Sequence, residues 1–91
     1  MRACLVRIAG RVQGVGYRDW LMQEARRNGI AGWVRNRRDG TVEALLAGEQ
    51  DAVQAVLNAC RRGPPAAQVT SIEESFAEPP TEPGFARRPT A

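Results

Sequence analysis

The sequence contains no histidine and no lysine, so all 13 of its basic residues are arginine. Without an imidazole or a side-chain amine, the chain cannot build a Ser-His-Asp or Cys-His triad, a Schiff-base or P-loop lysine, or a zinc or haem site that requires histidine. Any chemistry must come from arginine, carboxylates, amides, hydroxyls, thiols or the backbone. No cofactor and no metal are expected.

Cysteine and long apolar runs are also scarce. Cys4 and Cys60 lack a C-x-x-C spacing, and without histidine they cannot complete a tetrahedral zinc site from one chain. They are predicted to be buried thiols in a reducing compartment. No apolar run approaches the roughly 18 residues of a membrane span, and Arg7 stands where the apolar stretch of a signal peptide would lie. We therefore expect a cytoplasmic protein with no membrane partner.

The length and composition are those of one globular domain. The chain has 91 residues, of which 43% are hydrophobic and 25% charged. A net charge of +3 is modest, so the basic residues are better treated as local sites than as a global field. We expect residues 1–91 to form a single domain and a monomer, in which the Pro-rich residues 78–91 form a partly disordered tail with a short edge strand.

Hydrophobic periodicity predicts the order of the elements. Alternating apolar residues predict four strands, at 4–9, 31–36, 41–47 and 69–76, with 84–87 as the candidate for a fifth, edge strand. Helical spacing predicts helices over 17–28 and 49–60, the first ending in a left-handed cap at Gly29. Asp39 and Gly40 favour a hairpin turn. The order predicts an α+β, ferredoxin-like α/β sandwich (βαββαβ), with a four- to five-stranded antiparallel sheet and two helices on one face.

A glycine-rich segment joins the first strand to the first helix. Residues 10–18 read G-R-V-Q-G-V-G-Y-R, and backbone N–H groups in such a turn, next to a helix N-terminus, can form a nest for an anion. Many glycine-rich loops between a strand and a helix bind no ligand and only change the direction of the chain. However, Arg18 in the first helical turn opposes the helix dipole, at a cost of a few tenths of a kcal/mol, unless an anion binds there. The segment therefore favours an oxyanion or phosphate site.

A second polar segment surrounds the predicted hairpin, where residues 32–43 read G-W-V-R-N-R-R-D-G-T-V-E. Asn36 at the strand end could serve the turn, or its amide could hold a water on one side and a phosphoryl oxygen on the other. Arg35, Arg37 and Arg38 are interpreted as a solvated basic rim that attracts anions. No carboxylate of these two segments is expected to contact the substrate.

These segments resemble the signatures of the acylphosphatase family. Residues 10–18 are similar to its G-x-V-Q-G-V-x-[FY]-R motif, residues 32–43 to its G-W-V-x-N-x-x-D-G-x-V-E motif, and residues 63–69, G-P-P-A-A-Q-V, to its G-P-x-x-A-x-V segment. The departures are small. Tyr17 stands where phenylalanine is commoner, and Phe85-Ala86-Arg87-Arg88 replaces a final strand that usually reads nearer to F-x-I-R.

The resemblance implies a ferredoxin-like fold and metal-free hydrolysis of acyl phosphates to a carboxylate and inorganic phosphate. By that resemblance Arg18 and Asn36 are catalytic: Arg18 is the essential phosphate ligand and Asn36 holds the attacking water. The phosphate-binding residues are those of the loop and the helix start, namely Gln13, Gly14, Val15, Gly16, Tyr17 and Arg18. The partners are a small acyl phosphate and, as product or inhibitor, inorganic phosphate or another anion.

Two other functions compete with this one. A noncatalytic module that binds anions or carbamoyl phosphate is one, because domains of this kind also occur inside larger maturation enzymes; the short chain favours a free-standing enzyme. A ferredoxin-like RNA-binding domain is the other, suggested by the arginines. That function would need exposed aromatic residues on the central strands for base stacking, and Trp33 stands alone there.

Overall fold

The computed structural model describes residues 1–91 and contains five strands and two helices. In chain order they are β1 (Arg2–Arg11), α1 (Tyr17–Arg27), β2 (Ala31–Asn36), β3 (Val42–Gly48), α2 (Gln50–Arg62), β4 (Gln68–Phe76) and β5 (Phe85–Arg87). The βαββαβ order and the ferredoxin-like fold class are confirmed. None of the helices has the length and apolar character needed to cross a membrane.

The five strands form one sheet in the order β4-β1-β3-β2-β5. β1 and β2 both pair antiparallel with β3, and β4 pairs antiparallel with β1. β5 instead pairs parallel with β2, so the prediction of a purely antiparallel sheet is wrong for this strand. The reason is topological. The chain crosses from β4 at one edge to the opposite edge and enters β5 in the reverse direction, which is the direction of β2.

The core lies between the two helices and one face of the sheet. Cys4, Val6 and Ile8 of β1 are buried, as their alternation predicts. The helices add stripes at helical spacing: Tyr17, Leu21 and Ala25 from α1, and Val53, Val56, Leu57 and Cys60 from α2. Both helices therefore rest on the sheet, which fixes the start of α1 near the ends of β1 and β2.

The C-terminal end of α1 has the predicted left-handed cap. Gly29 has φ 67°, its N–H donates to the Arg26 carbonyl at 3.2 Å, and the Ile30 N–H donates to the Ala25 carbonyl at 2.9 Å. This pair of bonds is a Schellman motif. Ile30 is buried and supplies the accompanying hydrophobic contact, so the cap also anchors the entry into β2.

Gly32 is required by close backbone packing in the middle of the sheet. Its φ is +139°, and a Cβ there would lie 1.8 Å from the Leu45 carbonyl oxygen. We expect Gly32→Ala to lower the free energy of unfolding by about 2 to 3 kcal/mol, because β2 must move away from β3. Urea unfolding measures this. Gly40→Ala is the matched control, since Gly40 also has a positive φ but no atom within 4 Å of the added carbon. Equal losses in the two variants would contradict the packing argument.

Both cysteines are buried free thiols. Burial raises the pKa of the Cys4 thiol and raises that of Cys60 to about 12. Both groups therefore stay protonated near neutral pH, and neither has the thiolate character that a nucleophile needs.

Candidate active site

The loop between β1 and α1 exposes a row of backbone N–H groups. Gly14 and Gly16 have φ of 74° and 79° and alternate with Val15, which packs against the core. Gly16 is the N-cap of α1, and no side chain caps the helix. The N–H groups from Gly14 to Asp19 donate no hydrogen bond to the rest of the chain. Such a turn at a positive helix end is suited to bind an anion.

Arg18 adds a cation beside these amides. Its side chain is half-buried, and its one hydrogen bond, from Nη1 to the Arg88 carbonyl oxygen, is long at 3.4 Å. It makes no ion pair with a carboxylate, unlike Arg2, Arg7, Arg27, Arg35, Arg37 and Arg87. The guanidinium fork is therefore free to bind a phosphoryl group through two parallel hydrogen bonds.

Asn36 is the last residue of β2 and lines the same cavity as Arg18. Its side-chain amide donates and accepts no hydrogen bond within the chain. The turn is instead held by Asp39, whose Oδ1 accepts from the N–H of Thr41 at 3.0 Å and from its hydroxyl at 2.7 Å. A turn-forming role thus belongs to Asp39 and not to the Asn36 side chain.

These groups surround one cavity of about 180 Å³, lined by Val12, Gly14, Gly16, Tyr17, Arg18, Asp19, Asn36 and Arg87. The structure therefore brings the two predicted catalytic residues together with three of the predicted loop residues. Gln13 and Val15 lie outside the lining. The Gln13 amide nitrogen donates to the carbonyl oxygens of Arg37 at 2.7 Å and Thr41 at 2.9 Å, so this side chain fastens the loop to the hairpin between β2 and β3.

Asp19 and Arg87 also line the cavity, and the sequence argument missed both. Their side chains form an ion pair, with Arg87 Nη1 2.6 Å from Asp19 Oδ1. Asp19 follows directly after residues 10–18, so it lies outside the two segments for which no carboxylate contact with the substrate is expected. The first turn of α1 places Asp19 at the cavity wall next to Arg18. Arg87 could have been noticed in the sequence, because it stands at the third position of the final strand, where the family pattern F-x-I-R has isoleucine.

The predicted basic rim is largely neutralised. Arg35 donates to the buried carboxylate of Glu43 through Nε at 2.8 Å and Nη2 at 2.7 Å. Arg37 and Arg7 approach the same carboxylate at 3.6 and 3.9 Å. Arg35 and Glu43 are direct partners in the β2–β3 register, which explains why they pair. Of the three arginines interpreted as a solvated rim, only Arg38 is fully exposed.

Trp33 does not present a bare stacking surface. The guanidinium carbons of Arg35 and Arg88 each lie 4.8 Å from the centre of its ring, a distance at which cation–π attraction operates. The one aromatic side chain on the two hairpin strands is thus already covered by arginine, which argues against base stacking and against the RNA-binding alternative.

The Tyr17 hydroxyl connects the start of α1 to the end of α2. The side chain is buried, and Oη donates to the Cys60 carbonyl oxygen at 2.6 Å. In a regular helix the N–H of residue 64 would satisfy that carbonyl, but residue 64 is proline and has no N–H. Burial also raises the pKa of the Tyr17 phenol, so the hydroxyl remains a donor.

We expect Tyr17→Phe to lower the free energy of unfolding by about 1 to 3 kcal/mol, because it leaves the buried Cys60 carbonyl without a donor. The urea unfolding midpoint of the variant measures this. Trp20→Phe, a change of a half-buried aromatic residue on the same helix, is the control for ring packing alone. A Tyr17→Phe protein as stable as the parent would show that the carbonyl finds another partner.

No group of three or more histidine, cysteine, aspartate or glutamate side chains in residues 1–91 is arranged to hold a metal ion. The donors that the cavity offers are amides and guanidinium groups, and its one carboxylate, Asp19, is already paired with Arg87. Such a set suits an oxyanion ligand.

Comparisons with known proteins agree with this chemistry. A sequence model of the family described as acylphosphatase matches residues 4–87. The chain is 65% identical over 83 residues to an acylphosphatase of Acidiphilium cryptum, covering 91% of each chain. It is 52% identical over 90 residues to one of Rhodospirillum rubrum, covering 99% of each. Among solved structures, an acylphosphatase from Bacillus subtilis superposes with a TM-score of 0.91 at 36% identity, covering 97% of this chain and 99% of that one.

Proposed function

Since the chain belongs to the acylphosphatase family and is an enzyme that hydrolyses acyl phosphates, we propose that Arg18 and the loop before it bind the phosphoryl group and that Asn36 holds the attacking water. One observation carries this assignment. Gly14, Gly16 and Arg18, whose backbone N–H groups donate no hydrogen bond within the chain, line a single cavity together with Asn36.

The leaving group explains why a site without histidine suffices. An acyl phosphate releases a carboxylate, whose conjugate acid has a pKa of about 4.3 by analogy with a glutamate side chain. Such a group departs without being protonated, so the enzyme needs no general acid.

The cavity stabilises the negative charge on the phosphoryl group. Phosphoryl transfer is promoted mainly by positioning and by stabilising charge on the equatorial oxygens. The loop amides and the Arg18 fork bind those oxygens. The Asn36 amide orients the water in line with the bond that breaks. The water oxygen bonds to phosphorus as the bond from phosphorus to the carboxylate oxygen breaks, and the electron pair leaves with the carboxylate.

The proton of the attacking water passes to a phosphoryl oxygen of the substrate. Asp19 is the one carboxylate in the cavity lining, but its Oδ1 is bound to Arg87 at 2.6 Å. Because Asp19 Oδ1 is already occupied by the Arg87 guanidinium, we assign the proton to a phosphoryl oxygen of the substrate itself.

Hydrolysis of benzoyl phosphate in the presence of EDTA tests this function, with a phosphate monoester as the control substrate. We expect benzoyl phosphate to be hydrolysed at an undiminished rate in EDTA, and the monoester, whose alkoxide leaves poorly, to remain intact. Loss of the activity in EDTA, or equal rates for the two substrates, would contradict the metal-free mechanism based on the leaving group.

We also propose the domain extent, oligomeric state and compartment of the enzyme. Residues 1–91 form one acylphosphatase-like domain that works as a cytoplasmic monomer without a cofactor, and inorganic phosphate is its product and a competing ligand. One observation supports the compartment: both cysteines are free thiols, as a reducing compartment favours. Sedimentation equilibrium measures the mass in solution.

A further inference from the structure

One charged pair at the cavity has no part in the mechanism above. The charged residues of the lining are Arg18, Asp19 and Arg87. Arg18 is assigned to the phosphoryl group, so Arg87 is the remaining cation that a substrate in this cavity can meet. Because the phosphoryl oxygens and the water already have their partners, Arg87 is placed for the other half of the substrate, the acyl group.

The register of β5 explains why Arg87 reaches the cavity. Arg87 pairs with Val34 of β2, and Phe85 pairs with Gly32. Val34 and Phe85 are buried in the core between the sheet and the helices, so alternation places Arg87 on the face of the sheet that α1 covers. There its guanidinium meets Asp19 in the first turn of α1.

The Arg87 guanidinium is only partly engaged. Its Nη1 donates to Asp19 Oδ1, and the Nε and Nη2 groups donate to no atom of the chain. The side chains of Arg87 and Asp19 are 44% and 55% exposed, and ion pairs this exposed contribute little to stability. Arg87 can therefore turn donors toward a second carboxylate at small cost, and its planar fork suits a carboxylate geometrically.

We propose that Arg87 is a specificity-determining residue that binds a carboxylate on the acyl group, so that the preferred substrates are acyl phosphates whose acyl chain itself carries a negative charge. The proposal rests on the function proposed above. Asp19 holds Arg87 in place in the free enzyme and weakens its attraction for a second anion, so Asp19 sets how strong the preference is.

A matched pair of substrates tests the proposal: hexanoyl phosphate and adipoyl monophosphate, whose acyl chains have the same length and end in a methyl group and a carboxylate. The measured quantity is the ratio of kcat/KM for adipoyl monophosphate to that for hexanoyl phosphate, from phosphate release corrected for spontaneous hydrolysis. Because the intrinsic reactivities of the two substrates are the same with every variant, they cancel when the ratio is compared between variants.

We expect Arg87→Met to lower this ratio about three- to fivefold, because the ion pair with the substrate that it removes is half-exposed. Asp19→Asn should raise the ratio, because it removes the competing carboxylate. Arg61→Met is the control for net charge, since Arg61 is exposed at the end of α2 and makes no hydrogen bond or ion pair through its side chain; its ratio should equal that of the parent.

An unchanged ratio in Arg87→Met would overturn the proposal. If that variant fails to fold, Asp19→Asn decides, and a ratio that stays constant or falls in Asp19→Asn overturns it equally. Failure of the proposed site looks different, since Arg18→Ala would then hydrolyse both substrates at the rate of the parent while the ratio still responded to Arg87→Met.

Discussion

Arg18→Ala is expected to abolish turnover of benzoyl phosphate and binding of inorganic phosphate together. Loss of one preorganised donor at a transition-state oxyanion costs on the order of 10² to 10³ in rate, and this substitution removes both donors of a fork together with the charge, so we expect a loss of at least about 10³. Phosphate binding should disappear because the same fork binds the ground-state anion. Rates of hydrolysis and isothermal titration with phosphate measure the two effects.

The chemical reason is tested by Arg18→Lys. A lysine keeps the positive charge but offers a point charge without the planar fork, so we expect it to fail nearly as badly as alanine. Arg18 is half-buried and its one hydrogen bond is long, so both variants should unfold at the urea concentration of the parent. Near-normal turnover in Arg18→Ala would remove Arg18 from the proposed mechanism, and full activity in Arg18→Lys would show that charge alone suffices.

Asn36→Ala is expected to separate chemistry from binding. The Asn36 amide has no hydrogen bond within the chain, and we assign it to the water and not to the resting phosphate. We therefore expect kcat to fall about 10² to 10³-fold, while the dissociation constant for inorganic phosphate changes less than about threefold, well under the tenfold that corresponds to 1.36 kcal/mol.

Asn36→Asp sharpens this test. It retains the size and an acceptor for water but places a negative charge beside the phosphoryl site, so phosphate binding should weaken in this variant and not in Asn36→Ala. If Asn36→Ala instead lost phosphate binding in parallel with turnover, Asn36 would be a phosphate ligand, and the water would need another partner.

Much of the fold could be predicted because local patterns and tertiary packing agree. The apolar alternation of Cys4, Val6 and Ile8 and the helical spacing of Leu21 and Ala25 mark the same core that the structure contains. The predicted limits of β1, 4–9, are shorter than the observed Arg2–Arg11, because arginine and glycine at its ends carry no apolar alternation. Pairing with β3 and β4 extends the strand there.

The parallel pairing of β5 could not be read from three residues. Phe85, Ala86 and Arg87 show no periodicity that distinguishes a parallel from an antiparallel neighbour. The pairing is set by the position of β2 at the edge of the first four strands. The tail beyond β5 follows the same edge, since the Arg88 N–H donates to the Val34 carbonyl at 2.8 Å and the Ala91 N–H to the Asn36 carbonyl at 3.0 Å.

The lining of the cavity could be predicted where one continuous segment forms it, and could not be predicted where it depends on distant contacts. The glycines and Arg18 occur together in the sequence, and the placement of Arg18 in the first helical turn, against the helix dipole, favours an anion-binding turn. The pair of Asp19 and Arg87 joins residues 68 positions apart, and no local pattern links them. The engagement of Arg35 by Glu43 likewise depends on the register between β2 and β3.

The most direct test of the central claim is hydrolysis of benzoyl phosphate in water enriched in oxygen-18, followed by mass spectrometry of both products. Attack of a bound water on phosphorus places the heavy oxygen in inorganic phosphate, and we predict that phosphate carries one labelled atom and benzoate none. Products incubated with the enzyme under the same conditions control for later exchange. Label found in benzoate would mean that water attacks the acyl carbon, and it would contradict the assignment of Arg18, the loop amides and Asn36 to phosphoryl transfer.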